Sequence, residues 1–326
     1  MLLLLATAAC EAPSPGTDDV APEHSGHPHT VHHTGHTGET TPPPPFDGPA
    51  TLSAAGLYAD LAGEVLVEGT LATTPRYPLW SDGSDKRRWV RIPSGATVDT
   101  TDPDHWVFPE GTLAFKEFTK DGVRVETRRM EKRADGWTFV SYLWREDGTD
   151  ADAVPDGVPD ARGTTHDVPD QQTCAFCHVG PADLLLGVDA IQLDEATQAL
   201  LPLTAAVPAT VPGDDVTREA LGYLHGNCGS CHRAGALAGE RSGLLLDVSV
   251  GLVDPAEAAT LVTGLGKVAR HVVGGTDVVV VPGDPAASQL WHRMGLRDLE
   301  AMPPRGTEVV DAAGLDVIGA WISALP

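Results

Sequence analysis

The chain contains five cysteines, and four of them fall into two short runs of one pattern. Cys174 and Cys177 belong to CAFCH, which closes on His178, and Cys228 and Cys231 belong to CGSCH, which closes on His232. Each part of C-x-x-C-H has a chemical task. Two thiols at that spacing can add across the two vinyl groups of a haem, and the adjacent histidine can then place a ring nitrogen on the iron. Composition alone predicts on the order of 0.002 such runs in a chain like this, so finding two is no accident of cysteine content. Two C-x-x-C pairs can also hold a structural zinc, but zinc has no need of a histidine directly after both. A thioredoxin-like redox pair should follow a strand in a βαβ pattern, and the sequence shows none. The pattern predicts two covalently attached haem c groups, with structural zinc as the rival.

An electron-transfer haem usually takes a second protein ligand, and a thioether there raises the potential by favouring Fe(II). The methionines are Met1, Met130, Met294 and Met302. Met302 lies in AMPPRG, where two prolines hold the loop extended and limit the entropy lost on ligation. It is the expected axial partner of the iron at His232. Met294, in LWHRM, fits a helix packed behind that loop, with core packing as its role and ligation as the alternative. No methionine lies between His178 and Cys228, so a side-chain partner for the first iron must come from elsewhere. The candidates are His166, His225, His271, His292 and Met294. His225, three residues before Cys228, can ligate, hydrogen-bond a propionate or bond the helix end. If no side chain reaches this iron, it is open to a small molecule.

The start, MLLLLATAAC, is an apolar run ending at Cys10. It looks like a bacterial lipoprotein signal in which Cys10 would be lipidated, although it is short, lacks Lys or Arg before the apolar run and carries Thr7. The alternative is a plain cleaved signal with an incidental cysteine. Either route exports the chain, which is where c-type haem is attached in bacteria, to the periplasm or the cell surface. No stretch approaches the ~20 apolar residues of a membrane-spanning helix, so any anchoring is expected to be by lipid alone.

These groups need elements to position them. Residues 1–10 read as the signal, and 11–49 as a His/Pro-rich tether that cannot bury enough apolar surface to order itself. Its six histidines are read as part of a polar spacer rather than a metal site. Residues 50–165 read as a β domain. KRRWVRIP (86–93), TLAFKEF (112–118), VRVETRRMEKR (123–133) and WTFVSYLW (137–144) are strand-like, and Asp-Gly pairs between them signal hairpins. Both alternating faces of 137–144 are apolar, as in an interior strand covered on both sides. An antiparallel sandwich or barrel is expected, its aromatic residues forming core or, alternatively, a ligand face. Residues 166–212 form the first haem-binding segment and 213–326 a mainly α, cytochrome c-like domain. Helical spacing is seen over 186–203, 214–228 and 311–325.

Charge narrows the partners. Lys and Arg number 22 against 46 Asp and Glu, a net charge of −24, which repels phosphate and excludes a nucleic-acid binder. It favours a redox partner with a basic docking surface. The acid is unevenly spread, because residues 76–145 hold 13 of the 22 basic groups and 11 of the acidic ones.

The chain resembles a family of bacterial dihaem c-type cytochromes, often lipoproteins, over about 50–326. The segments carrying the resemblance are YPLWSDGSDKRRWVRIPSG, DPDHWVFPEGTLAFKEF, CAFCH, LGYLHGNCGSCH, PGDPAASQLWHRM, AMPPRGTEVVD and the closing AWI. Its C-terminal part resembles a class I cytochrome c. The resemblance implies two haems, at Cys174, Cys177 and His178 and at Cys228, Cys231 and His232, and it supports Met302 as a distal ligand. Three functions follow as expectations. The first is one-electron transfer between redox partners. The second is a peroxide-reducing haem enzyme with the first haem as open reaction centre. The third is an electron-feeding partner of a binding or catalytic β domain.

Overall fold

Alternation of apolar and charged residues makes the first half of the chain β-structure. The structure, a computed structural model, describes residues 46–178, 183 and 185–326, apart from the side chains of 175–177. Cys10, the arm up to residue 45 and the side chain of Cys177 lie outside the described residues. Strands β1 (Tyr58–Asp60) and β2 (Val65–Leu66) form a small antiparallel pair. Strands β3 (Leu71–Ala72), β4 (Asp85–Arg91), β5 (Leu113–Lys120), β6 (Val123–Arg133), β7 (Gly136–Trp144) and β8 (Ala151–Ala153) make one six-stranded antiparallel sheet in chain order. The β5–β6 turn sits at Asp121 (φ 50°) and Gly122 (φ 78°), the left-handed pair that a two-residue hairpin requires.

The sheet is open, which corrects the expectation of a barrel. Its edges, β3 and β8, are two and three residues long and do not pair. Closure is unnecessary because other segments cover both faces and one edge. At the β8 edge, the Ala153 N–H donates to the Ala50 carbonyl at 2.9 Å. On one face Trp89, Leu113, Phe115, Val140, Tyr142 and Trp144 pack on Leu52, Ala55, Leu57 and Tyr58. These aromatics are core, not a ligand face. On the other face Val90 and Ala114 join a cluster that includes Leu221, Leu224, Ile318, Trp321 and Ile322. The described residues form one compact unit, and one core cluster draws on residues from both sides of positions 165/166 and 212/213.

The second half contains α1 (Gln171–His178), α2 (Glu195–Gln198), α3 (Asp215–Asn227), α4 (Leu237–Ser242), α5 (Ala259–Gly264), a hairpin of β9 (Val268–Val273) and β10 (Thr276–Val278), α6 (Gln289–Met294) and α7 (Ala312–Ala324). Helices α3 and α7 begin where expected, because Asp214 accepts from the Thr217 N–H at 2.8 Å and Asp311 from the Gly314 N–H at 3.0 Å. The two helices pack on each other. Along α3, Ala220 and Leu224 are buried while Val216 is 41% exposed.

The helix expected over 186–203 is mostly absent, reduced to α2. Val188, Ala190, Ile191, Leu193 and Leu201 are buried as irregular chain, while Leu200 is exposed. Asp189 Oδ1 takes the N–H groups of Ile191 and Gln192 at 2.9 Å, and Gly187 sits at φ 82°. Side-chain acceptors of this kind compete with helical bonding. With the β9–β10 hairpin, the whole is a mixed, β-rich fold. Among the described residues no helix is long and apolar enough to cross a membrane.

Candidate functional site

Helix α3 delivers the second cysteine pair. Gly222 and Gly226 leave room for Tyr77, whose ring and carbonyl occupy the space a Cβ would take. The Asn227 side chain accepts from the Trp80 N–H at 2.7 Å, tying the end of α3 to the segment before β4. The chain then folds back on itself. The Cys228 carbonyl accepts from the N–H of Cys231 at 3.1 Å and of His232 at 2.9 Å, so all three residues share one turn. Cys228 and Cys231 are both partly exposed. Burial, with Cys231 beside it, pushes the Cys228 thiol up to about 12, so it stays protonated at neutral pH.

The orientation of His232 is fixed from behind. Its Nδ1 lies 3.1 Å from the Leu244 carbonyl, which can only accept, so the proton sits on Nδ1 and the lone pair on Nε2. Ser242 Oγ lies 3.3 Å from the same nitrogen. Burial lowers the pKa of the ring and Arg293 lowers it further, against the opposing pull of the Leu244 bond, so the imidazole is held neutral. A neutral ring with a lone pair on Nε2 can ligate iron.

Met302 belongs to the same neighbourhood. Its N–H donates to the Arg293 carbonyl at 3.0 Å, and Arg293 Nε donates to the Glu300 carbonyl at 2.7 Å. The loop is therefore fastened to the end of α6, the residue of which also acts on His232. Met294 is 7% exposed within the main core, the packing role expected of it.

His225 is spent inside the protein. Its Nδ1 accepts from the Val248 N–H at 3.0 Å, so Nε2 carries the proton and faces Asp189 at 3.5 Å. Burial would raise the Asp189 pKa, but His225 and the backbone donors outweigh it and hold the carboxyl below its ordinary value. As placed, His225 offers no lone pair to a metal. A cleft of about 70 Å³ beside it is lined by His105, Asp189, His225, Gly229, Ser230 and Arg233. That volume holds a few water molecules.

The first cysteine pair lies on α1, which packs against β7. Asp170 caps the helix by accepting from the Thr173 N–H at 2.6 Å, and Gln171 donates to the Phe139 carbonyl at 2.8 Å. The His178 ring lies 5.1 Å from that of Phe139. Burial raises the Cys174 thiol, Arg128 pulls it down and Glu126 pushes it up, so the sheet's charges reach this helix. Among the other ligand candidates, His166 has both nitrogens near partners, Nε2 at 2.7 Å from Glu126 and Nδ1 at 3.3 Å from Ser84. His271 is exposed, 3.6 Å from Glu300. The His292 ring lies against Gly274.

Among the described residues no three His, Cys, Asp or Glu side chains converge to hold a metal ion. Cys228, Cys231 and His232 place two thiols and a tautomer-locked imidazole in one turn, a donor set that could hold a haem. Cysteine and histidine spacing does not reveal the charged groups on the sheet face shared with α1, namely Arg88, Lys116, Glu126 and Arg128. The signal was present in the basic excess of 76–145 and in its alternation along the strands. No family model, no curated protein and no solved structure matches the chain.

Proposed function

We propose that the chain is an exported dihaem c-type cytochrome, of the family its motifs resemble, that carries single electrons between redox partners. The observation that carries this reading is the His232 imidazole, its Nδ1 proton given to the Leu244 carbonyl and its lone pair left on Nε2, in the turn that also bears Cys228 and Cys231. When bound, haem would supply reversible one-electron chemistry at iron. The chain's own residues do the rest. Cys174 and Cys177 anchor one group and Cys228 and Cys231 the other, with His178 and His232 as proximal ligands. Met302 supplies the thioether to the second iron from a loop held by Arg293. The packing of α3 on α7, with CGSCH between them in sequence, supports a cytochrome c-like C-terminal region. The net charge of −24 favours a basic partner and makes docking weaken with salt. Cys10 would anchor the chain by lipid.

Reduction of the matured protein by dithionite tests the reading. Two covalently held haems per chain that reduce reversibly support it, and protein without covalent haem refutes it.

A second reading is favoured by one further fact. His166 and His225 have both ring nitrogens engaged, and Met294 is core, so three of the five side chains available to the first iron are already used. An iron with an open position would suit a peroxide-reducing enzyme. Cyanide binding to one haem favours it, and two six-coordinate low-spin haems in both redox states exclude it.

A further inference from the structure

Cations on the two faces of the sheet are treated differently. On the face toward Leu57 and Tyr58, each of Arg87, Arg124 and Arg129 meets a carboxylate: Arg87 and Arg124 pair with Glu64 and Glu117, and Arg129 with Glu131. On the face toward α1, the register places Arg88 opposite Lys116, Lys116 opposite Arg128 and Arg128 opposite Ser141. Three like charges stand in one cross-strand row, an arrangement that is destabilising unless something offsets it.

Among the described residues, the offset at Arg88 and Lys116 is partial. Glu126 accepts from Arg128 Nε at 2.9 Å and is shared with His166. The Phe118 ring takes Lys116 Nζ at 4.7 Å and Arg128 Cζ at 4.3 Å. Among the described residues neither the Arg88 nor the Lys116 side chain makes a hydrogen bond or an ion pair. Burial and the neighbouring Arg88, Arg128 and Lys86 hold Lys116 well below the ordinary lysine value. On the same face Glu126 Oε2, Ser141 Oγ and Trp137 Nε1 are buried without partners. Buried polar atoms of this kind normally find one.

The row also lies beside α1. Ser141, at its end, is two residues along β7 from Phe139, which contacts the His178 ring. Arg128 and Glu126 both act on Cys174.

We propose that Arg88, Lys116 and Arg128 form the seat for the propionate carboxylates of the haem attached at Cys174 and Cys177. The inference rests on the haem reading above and deepens it. Two carboxylates match what the row lacks, and covalent attachment at α1 puts the anion beside these side chains rather than leaving it to a free ion. The other ionisable groups around the row are Lys86 on β4, Glu126 on β6, His166, and Asp170 and Cys174 at α1.

The test is redox potentiometry against pH on the matured full-length chain and on Lys116→Met, Lys116→Arg and Arg88→Met. Removing a cation beside ionised propionates favours the ferric iron and raises the proton affinity of the carboxylates. In Lys116→Met and Arg88→Met both haems should stay attached, and one potential should fall. The pH inflection of that haem should move up by about one unit, a tenfold gain in proton affinity. Lys116→Arg should behave as wild type. In a Cys174→Ala/Cys177→Ala chain, which keeps one haem, Lys116→Met should shift nothing. Two attached haems with unchanged potentials and inflections in both Met variants would overturn the seat while leaving the haem reading intact. So would a shift that persists in the Cys174→Ala/Cys177→Ala chain, or one abolished by inorganic phosphate. Colourless protein would end both proposals.

Discussion

His232 and Leu244 are joined by a 3.1 Å contact between ring Nδ1 and a backbone carbonyl, and that contact decides which nitrogen of the ring can do chemistry. A carbonyl cannot donate, so the bond selects one tautomer and leaves the lone pair on Nε2. The same logic applied to His225 gives the opposite outcome, because a backbone N–H faces its Nδ1 and Asp189 its Nε2. Two histidines seven residues apart, both close to Cys228, are thus sorted by their hydrogen-bond partners into one with its lone pair left on Nε2 and one with both ring nitrogens engaged.

His232→Ala should leave the thioethers at Cys228 and Cys231 but remove the proximal ligand. The ferric spectrum should then show one haem changed from low to high spin, with added imidazole restoring it. An unaltered ferric spectrum would exclude His232 as a ligand.

Met302→Ala should abolish the methionine–iron charge-transfer band and lower the potential of one haem, leaving the other where it was. Persistence of the band in the variant would assign the thioether to another methionine.

Glu126 is fully buried and meets Arg128 and His166. Glu126→Gln should cost about 3–5 kcal/mol in urea unfolding at pH 7, since it leaves buried positive charge uncompensated. Burial would raise the pKa of Glu126, but Arg128 and His166 overcome it and hold the carboxyl below its ordinary value. The unfolded chain therefore binds the proton more readily. The contribution is complete above the ordinary glutamate value of about 4.3 and is lost as pH falls through the lower folded value. Wild type should show this acid limb below about pH 4 and Glu126→Gln should lack it. Equal acid limbs would contradict the assignment.

Gly222 faces the Tyr77 ring where a Cβ would stand. Gly222→Ala should lower stability by about 1–3 kcal/mol through overpacking, despite the better helix propensity of alanine. A thermal midpoint equal to or above wild type would show that the α3–Tyr77 contact is looser than described.

What the sequence made legible is what is decided locally. The hairpin at Asp121-Gly122 depends on two adjacent left-handed residues, and the caps at Asp214 and Asp311 on one side chain and one amide three positions on. Strand β6 falls at the expected 123–133, because charged residues alternate there under a turn at each end. Closure of the sheet was not legible. It depends on whether β3 and β8 are long enough to meet, and on segments 50–58 and α1 arriving to cover the faces. The 186–203 stretch has helical spacing, yet Asp189 captures the backbone locally. In the candidate site, the cysteines and histidines announce themselves by spacing. The Leu244 carbonyl and the Arg88–Lys116–Arg128 row do not, since a backbone atom has no letter and a row across three strands exists only once the register is set.

The account stands on two haems bonded to this chain, and the mass of the full-length protein, matured in a host able to attach c-type haem, tests that most directly. The predicted result is a polypeptide heavier by two haem groups that survive denaturation, with the Cys228→Ala/Cys231→Ala variant heavier by one. An unmodified mass with no visible absorption would contradict it.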